Sequence, residues 1–234
     1  MNRLLLPTLL IACLAVTALA EDKPLNKPPE GFTALFNGKD LTNWKGLVGD
    51  PKSRAKMSPG DLAKAQEVAD KKAHDHWKAE DGILVFDGKG DSLCTAKDYA
   101  DFELYCDWKI KPKGDSGIYL RGIPQVQIWD PFTSPSKATG EEKGSGSLWN
   151  NAKNPKFPDV LADNPIGEWN TFHIKMVGDK VTIHLNGKKV VNDVTLENYW
   201  ERDKPCYPTG QIELQNHGNT LYFRNIYIKE LPAK

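Results

Sequence analysis

From Trp77 to the end of the chain, apolar and polar positions alternate with a period of two in one segment after another. GILVFDG (82–88), FELYCDWKI (102–110), SGIYLRG (116–122) and PQVQIWD (124–130) all read this way. So do NTFHIKMVGD (170–179), KVTIHLNGKKVV (180–191), GQIELQNHG (210–218) and TLYFRNIYIKEL (220–231). Such alternation puts one set of side chains on each face of a strand. Gly-Asp, Asn-Gly and His-Gly pairs punctuate the runs. Asn186-Gly187, following Val181, Ile183 and Leu185, marks a hairpin. One segment departs from the period. SPGDLAKAQEVADKKAHDHW (58–77) opens with Ser58 as N-cap, Pro59 at the first helical position and Asp61 three residues after the cap. Leu62, Ala65, Val68, Ala69 and Ala73 then recur at helical spacing, a thin stripe that predicts a helix on the surface. Many strands and one minor helix predict an all-β chain, a β-sandwich with one inserted surface helix. Residues 131–168 show no clear element, and a connection of that length is usually functional or mobile.

The first residues fall outside this pattern. MNRLLLPTLLIACLAVTALA has a basic start at Arg3, an apolar run and small residues before Glu21, which predicts a cleaved secretory signal over 1–20. Residues 21–30 read as a Pro-rich charged leader, extended and mobile, and 31–234 as a single domain with the helical insertion at about 58–77. The expected location is secreted or periplasmic. No later segment is apolar enough to span a bilayer. Without Arg3 the mature chain carries 30 basic against 31 acidic residues. That balance argues against nucleic acid or an anionic membrane as the main partner. Seven tryptophans and many amides lean instead towards a neutral polar ligand such as an oligosaccharide. Cys94, Cys106 and Cys206 allow at most one bridge and read mostly as core residues. No Cys-x-x-Cys or His-x-x-x-His occurs, so neither a metal nor a cofactor is expected.

Candidate chemistry lies on the polar faces of three strands. Tyr119 and Arg121, then Gln125, Gln127 and Trp129, then Glu213, Gln215 and His217 alternate with apolar residues. Amides donate and accept, which suits sugar hydroxyls, and indole or phenol rings stack on a pyranose. The three strands together can floor a groove. Each residue also has a plainer reading: Arg121 as a surface ion-pair partner, Trp129 as core, His217 as a turn histidine, Glu213 as an exposed strand residue.

GFTALFNGKDLTNWKG, GDSGIYLRG, QVQIWD, GSGSLWNN, GEWNTFHI, HLNGKKVV and GQIELQNHGNTLYFRNIYIKEL occur in order from about residue 31 to 231. With these stretches the chain resembles the bacterial 3-keto-disaccharide hydrolase domain family. The resemblance implies a concanavalin A-like jelly roll that binds carbohydrate on its concave sheet. It also implies cleavage of glycosides oxidised at carbon 3, by hydrolysis or by elimination followed by hydration. Family motif positions carry over to Arg121, Gln127, Asp130, Gln215 and His217. The chain departs from the pattern at Gln125, where many members have glutamate. A ketone at carbon 3 acidifies the hydrogen on carbon 2, so the chemistry needs a base, an acid for the leaving oxygen and donors for the enolate. An imidazole titrates near neutrality, which suits His217 to act as base or acid, with Glu213 or Asp130 as the complementary carboxylate. Arg121 and Gln127 would hold the enolate oxygen or hydroxyls, and Trp129 or Trp149 would stack on the ring. Asp115 and Ser116 read as loop contacts or a tight turn. Two rivals stand beside this expectation: an ordinary glycoside hydrolase using Glu213 and Asp130, and a non-catalytic lectin-like module.

Overall fold

The computed structural model describes residues 24–232; the expected signal over 1–20 lies outside them. Two antiparallel sheets pack face to face as a jelly-roll β-sandwich. In chain order the first strands are β1 (Thr33–Ala34), β2 (Trp44–Gly46), β3 (Trp77–Glu80), β4 (Ile83–Phe86) and β5 (Leu93–Thr95). The central ones are β6 (Phe102–Ile110), β7 (Asp115–Leu120), β8 (Ile123–Trp129) and β9 (Asn170–Val177). The last are β10 (Lys180–Leu185), β11 (Lys188–Thr195), β12 (Glu213–Leu214) and β13 (Leu221–Glu230). Helices α1 (Pro51–Arg54) and α2 (Pro59–His76) interrupt the early strands. The larger sheet runs β11-β10-β9-β6-β13-β4-β3, with β1 also against β13; the smaller runs β2-β5-β12-β7-β8.

Alternation decides which side chains meet between the sheets. Phe102, Leu104, Cys106, Trp108 and Ile110 of β6 are buried, and so are Phe172, Ile174 and Met176 of β9. Ile118, Leu120, Val126, Ile128 and Leu214 answer them from the smaller sheet. Each such side chain contributes roughly 1.5–3 kcal/mol through burial. The hairpin at Asn186-Gly187 forms as predicted, both residues having the positive φ that a type I′ turn requires. All three described cysteines are buried and free.

Helix α2 follows its predicted start: Ser58 Oγ accepts from Asp61 N at 3.2 Å and Pro59 opens the helix. Its buried face is only Ala69 and Ala73. It lies on the edge strand β2, where a Cβ on Gly46 would come within 2.1 Å of the Ala69 carbonyl oxygen. Asp70 accepts from Gly46 N and Gln66 donates to Gly46 O, so the helix covers an otherwise open edge.

The leader differs from its expectation of mobility. Asn26 N donates to Asn225 Oδ1 at 2.8 Å and Asn225 N returns the bond to Asn26 Oδ1 at 2.9 Å. Asn26 Nδ2 also reaches Gly82 O. These three bonds fasten the leader to the larger sheet.

Candidate active site

The site lies on the face of the smaller sheet turned away from the core. Strands β7 and β8 pair with Asp115 opposite Trp129 and Gly117 opposite Gln127. The polar faces therefore share one surface, and Gln215 joins it through its backbone bond to Gly117 O. Gly117 has a local reason to be glycine. A Cβ there would lie 3.1 Å from Gln215 Oε1 and 3.2 Å from Gln125 Cδ, so the bare backbone lets both amides lie across it.

Part of the 131–168 connection forms the wall. Gly146 N donates to Gln127 O, and Gln127 N donates to Ser147 O. Leu148, buried, bridges to Val126. Residues 144–149 thus run beside β8 as an irregular edge and deliver Trp149 to the groove. Trp129 is pinned by its Nε1 donating to Gly144 O at 2.7 Å, and Trp149 meets it edge-on at 5.3 Å. Glu197 secures the far end. Against the penalty of burial, the backbone N–H groups of Ala152, Asn154 and Lys153 hold its carboxyl down to about 2.

Floor and wall enclose a hollow of about 450 Å³ lined by Tyr119, Gln125, Gln127, Trp129, Trp149, Gln215 and His217 among others. Seven of the ten expected site residues therefore meet in one place. Gln125 Nε2 donates to Gln127 Oε1, Gln127 Nε2 to Asp115 Oδ1 at 2.6 Å, and Asp115 Oδ2 lies 3.4 Å from His217 Nδ1. This relay ends on an imidazole whose side chain is 56% exposed. Burial pushes the Asp115 carboxyl above its ordinary value, opposed by His217 and by the Gln127 donor. Gln215 donates to the Tyr119 hydroxyl at 3.3 Å and its own Oε1 has no partner among the described residues. Burial, reinforced by the nearby Glu213, raises the Tyr119 phenol, which keeps its proton available for donation.

Three expected residues are not in this hollow. Arg121 occupies the turn between β7 and β8 with φ +55°, which takes it out of the strand alternation. Its guanidinium, 3% exposed, donates to the carbonyls of Tyr207, Pro208 and Gly178 and pairs with Asp101. It is a clasp at the end of the sandwich, not a substrate ligand. Glu213 does lie beside Tyr119 in the sheet, but Arg54 of α1 approaches its carboxylate at 3.9 Å and leaves it 3% exposed. Burial pushes it up to about 7, with Arg54 opposing. Asp130 accepts from the backbone of Lys113, Phe132 and Thr133. Burial acts against these bonds, yet they hold its carboxyl below the ordinary value. A loop-capping anion of that kind makes a poor acid.

Two further carboxylates take their place. Asp115 has already been described; the signal for it was that β7 begins one residue before SGIYLRG, which puts Asp115 in phase with Tyr119. Its neighbour Ser116 faces the core side and donates to Gln215 O. Glu141, in a single 3₁₀ turn, lines the hollow while its Oε2 accepts from Ser136 N at 2.6 Å. No periodicity announces it.

A β-sandwich with an imidazole–carboxylate pair among amides and indoles has the composition of a carbohydrate-active enzyme, and similar proteins agree. The chain is 23% identical over 256 residues to the 3-keto-disaccharide hydrolase of Bacteroides thetaiotaomicron, covering 86% of this chain and 79% of that protein. It is 26% identical to a candidate glycosyl hydrolase from Parabacteroides distasonis ATCC 8503 whose crystal structure superposes with a TM-score of 0.65, over 89% of this chain and all of that one. A second such structure from the same organism gives 27% identity and a TM-score of 0.53 over 80% and 99% of the two chains. The protein is thus a hydrolase or lyase acting on sugars. It belongs to the family of the 3-keto-alpha-glucoside-1,2-lyase-like domain, whose model matches residues 31–229.

Proposed function

We propose that the protein cleaves glycosides oxidised to a ketone at carbon 3, with His217 as the base. The observation that carries this reading is the His217–Asp115 pair at 3.4 Å, set among the amides and indoles of one hollow. Asp115 orients the imidazole through Nδ1 and stabilises its cation, and Nε2 takes the proton from carbon 2. The electrons of that C–H bond form a double bond between carbons 2 and 3, and the carbonyl pair moves onto the oxygen at carbon 3 as an enolate. When the enolate collapses back to the ketone, its electron pair forms the double bond between carbons 1 and 2, the C1–O bond breaks, and the departing oxygen takes the proton held by the His217 imidazolium. Meanwhile the Tyr119 hydroxyl and Gln215 amide donate to the oxygen at carbon 3, which carries the enolate charge. Addition of water to the new double bond completes a net hydrolysis.

The ordinary-glycosidase alternative needs Glu213 and Asp130 across one scissile bond, and Glu213 is sealed beneath Arg54, out of the hollow. We further propose that the chain is exported, on the strength of its first twenty residues. N-terminal sequencing of protein recovered outside the cytoplasm should begin at Glu21.

Purified protein should turn over a 3-keto glucoside and leave the parent glucoside intact. His217→Ala should lower kcat by at least about 10²-fold, the usual contribution of a positioned base. Saturable sugar binding with no turnover of the keto compound would support the lectin-like reading in its place.

A further inference from the structure

Asp115, Trp129, Glu141 and His217 line two hollows at once. The first, of about 450 Å³, is the amide-floored one already described. The second, of about 420 Å³, adjoins it through the same four residues, and its own walls include Lys113, Asp130, Ser134 and Asn219. Each falls in the range of small-molecule sites. The reactive groups therefore border both chambers. A bond broken where two chambers meet has room for one substituent in each.

We propose that the second hollow is the leaving-group subsite, and that Lys113 and Ser134 select a hydroxyl-bearing leaving group such as a second sugar. The inference rests on His217 and Asp115 being the reacting pair. Three observations support the assignment of sides. The ring to be deprotonated belongs in the first hollow, which holds the Tyr119 and Gln215 donors, the Gln125–Gln127 relay and the Trp149 indole. The second hollow has Trp129 and His217 as its only rings, and its other lining is polar: Lys113, Ser134, Asn219 and the carboxylates Asp115, Asp130 and Glu141. Such groups reward hydrogen-bonding hydroxyls and give a flat aryl ring little to stack on.

The second hollow is also tied to the catalytic strand. Asn219 Oδ1 accepts from Asp115 N at 2.7 Å, and Asp130 Oδ2 accepts from Lys113 N at 2.7 Å. Both bonds fix the far wall to the start of β7, so the departing oxygen and its recognition groups keep a set distance. Asn219 keeps its Nδ2 for a ligand, because the backbone contact uses its oxygen.

The test compares two substrates with the same 3-keto glucosyl unit, one with glucose and one with p-nitrophenol as leaving group. The wild-type enzyme is set against Lys113→Ala and the Lys113→Ala/Ser134→Ala double variant. The ratio of kcat/KM for the sugar-leaving substrate to that for the aryl-leaving one should fall at least ten-fold in the double variant. An unchanged ratio overturns the subsite while the catalytic reading stands. Failure of the wild-type protein to turn over either compound overturns the catalytic reading, and the subsite with it.

Discussion

At the scale of single residues, the site is a matter of who donates to whom. Burial raises the Asp115 carboxyl, and after the His217 charge the Gln127 hydrogen bond, at 2.6 Å, opposes that rise. Gln127→Met removes the donor and keeps the volume. The Asp115 carboxyl then rises further, and the acid limb of the pH–rate profile should move to higher pH; a limb that stays in place or moves down would remove Asp115 from the titrating pair. Arg121 gives the opposite lesson. Its alternation with Ile118 and Leu120 placed it on the polar face, but one residue with positive φ at a turn redirected it to three carbonyls and Asp101. Arg121→Ala should cost about 3 kcal/mol in urea unfolding, because it strands Asp101 and frees several buried carbonyls. Folded variant should keep its KM for a 3-keto glucoside, whereas a ligand role would raise it.

At the scale of elements, periodicity was a good guide wherever a strand is long and has one face in the core. β6, β9, β10 and β13 lie where alternation put them, and α2 starts at the capped serine. GQIELQNHG read as one long strand, yet only Glu213 and Leu214 form β12, and Gln215 to His217 follow outside the ladder. Alternation also cannot tell which outer face gets covered. Glu213 is sealed because the four-residue helix α1, too short to leave a pattern, brings Arg54 over it. Glu141 comes from an irregular loop, where no period exists to read. The leader was misjudged for a similar reason: its composition is that of a mobile segment, but one asparagine finds a reciprocal partner 199 residues away. Asn26→Ala should release it, and limited proteolysis should then cut within 24–31 well before the domain itself is attacked. Equal resistance in both proteins would mean the prolines alone hold it.

For the whole molecule, the buried carboxylate of Glu213 should shape stability against pH. In the unfolded chain it loses its proton near its ordinary value of 4.5, while in the fold it keeps it up to about 7. Between those values the folded state binds more protons, so this group makes the protein less stable as pH rises. The loss reaches about 3 kcal/mol above pH 7, at ~1.4 kcal/mol per unit. Glu197 acts in a different window: held down to about 2, it contributes stability above pH 4.5 that is lost on acidification towards 2. Glu213→Gln should match the wild type at pH 5 and exceed it at pH 8 by up to about 3 kcal/mol in urea melts. A variant weaker at pH 8 would mean that attraction to Arg54 outweighs the cost of burying the charge.

The strip of chain at 144–149 hugs β8 through its own backbone, while the residues on either side of it run without a strand between Asp130 and Asn170. Reactive groups such as Asp115 are thus woven into the sheet, and the aromatic ceiling is stitched on from a separate length of thread. Insertions or deletions on either side of that strip can reshape the entrance while Gln125, Gln127 and Asp115 stay fixed in the sheet. The architecture keeps its chemistry and its taste in sugars on parts that can be exchanged one at a time.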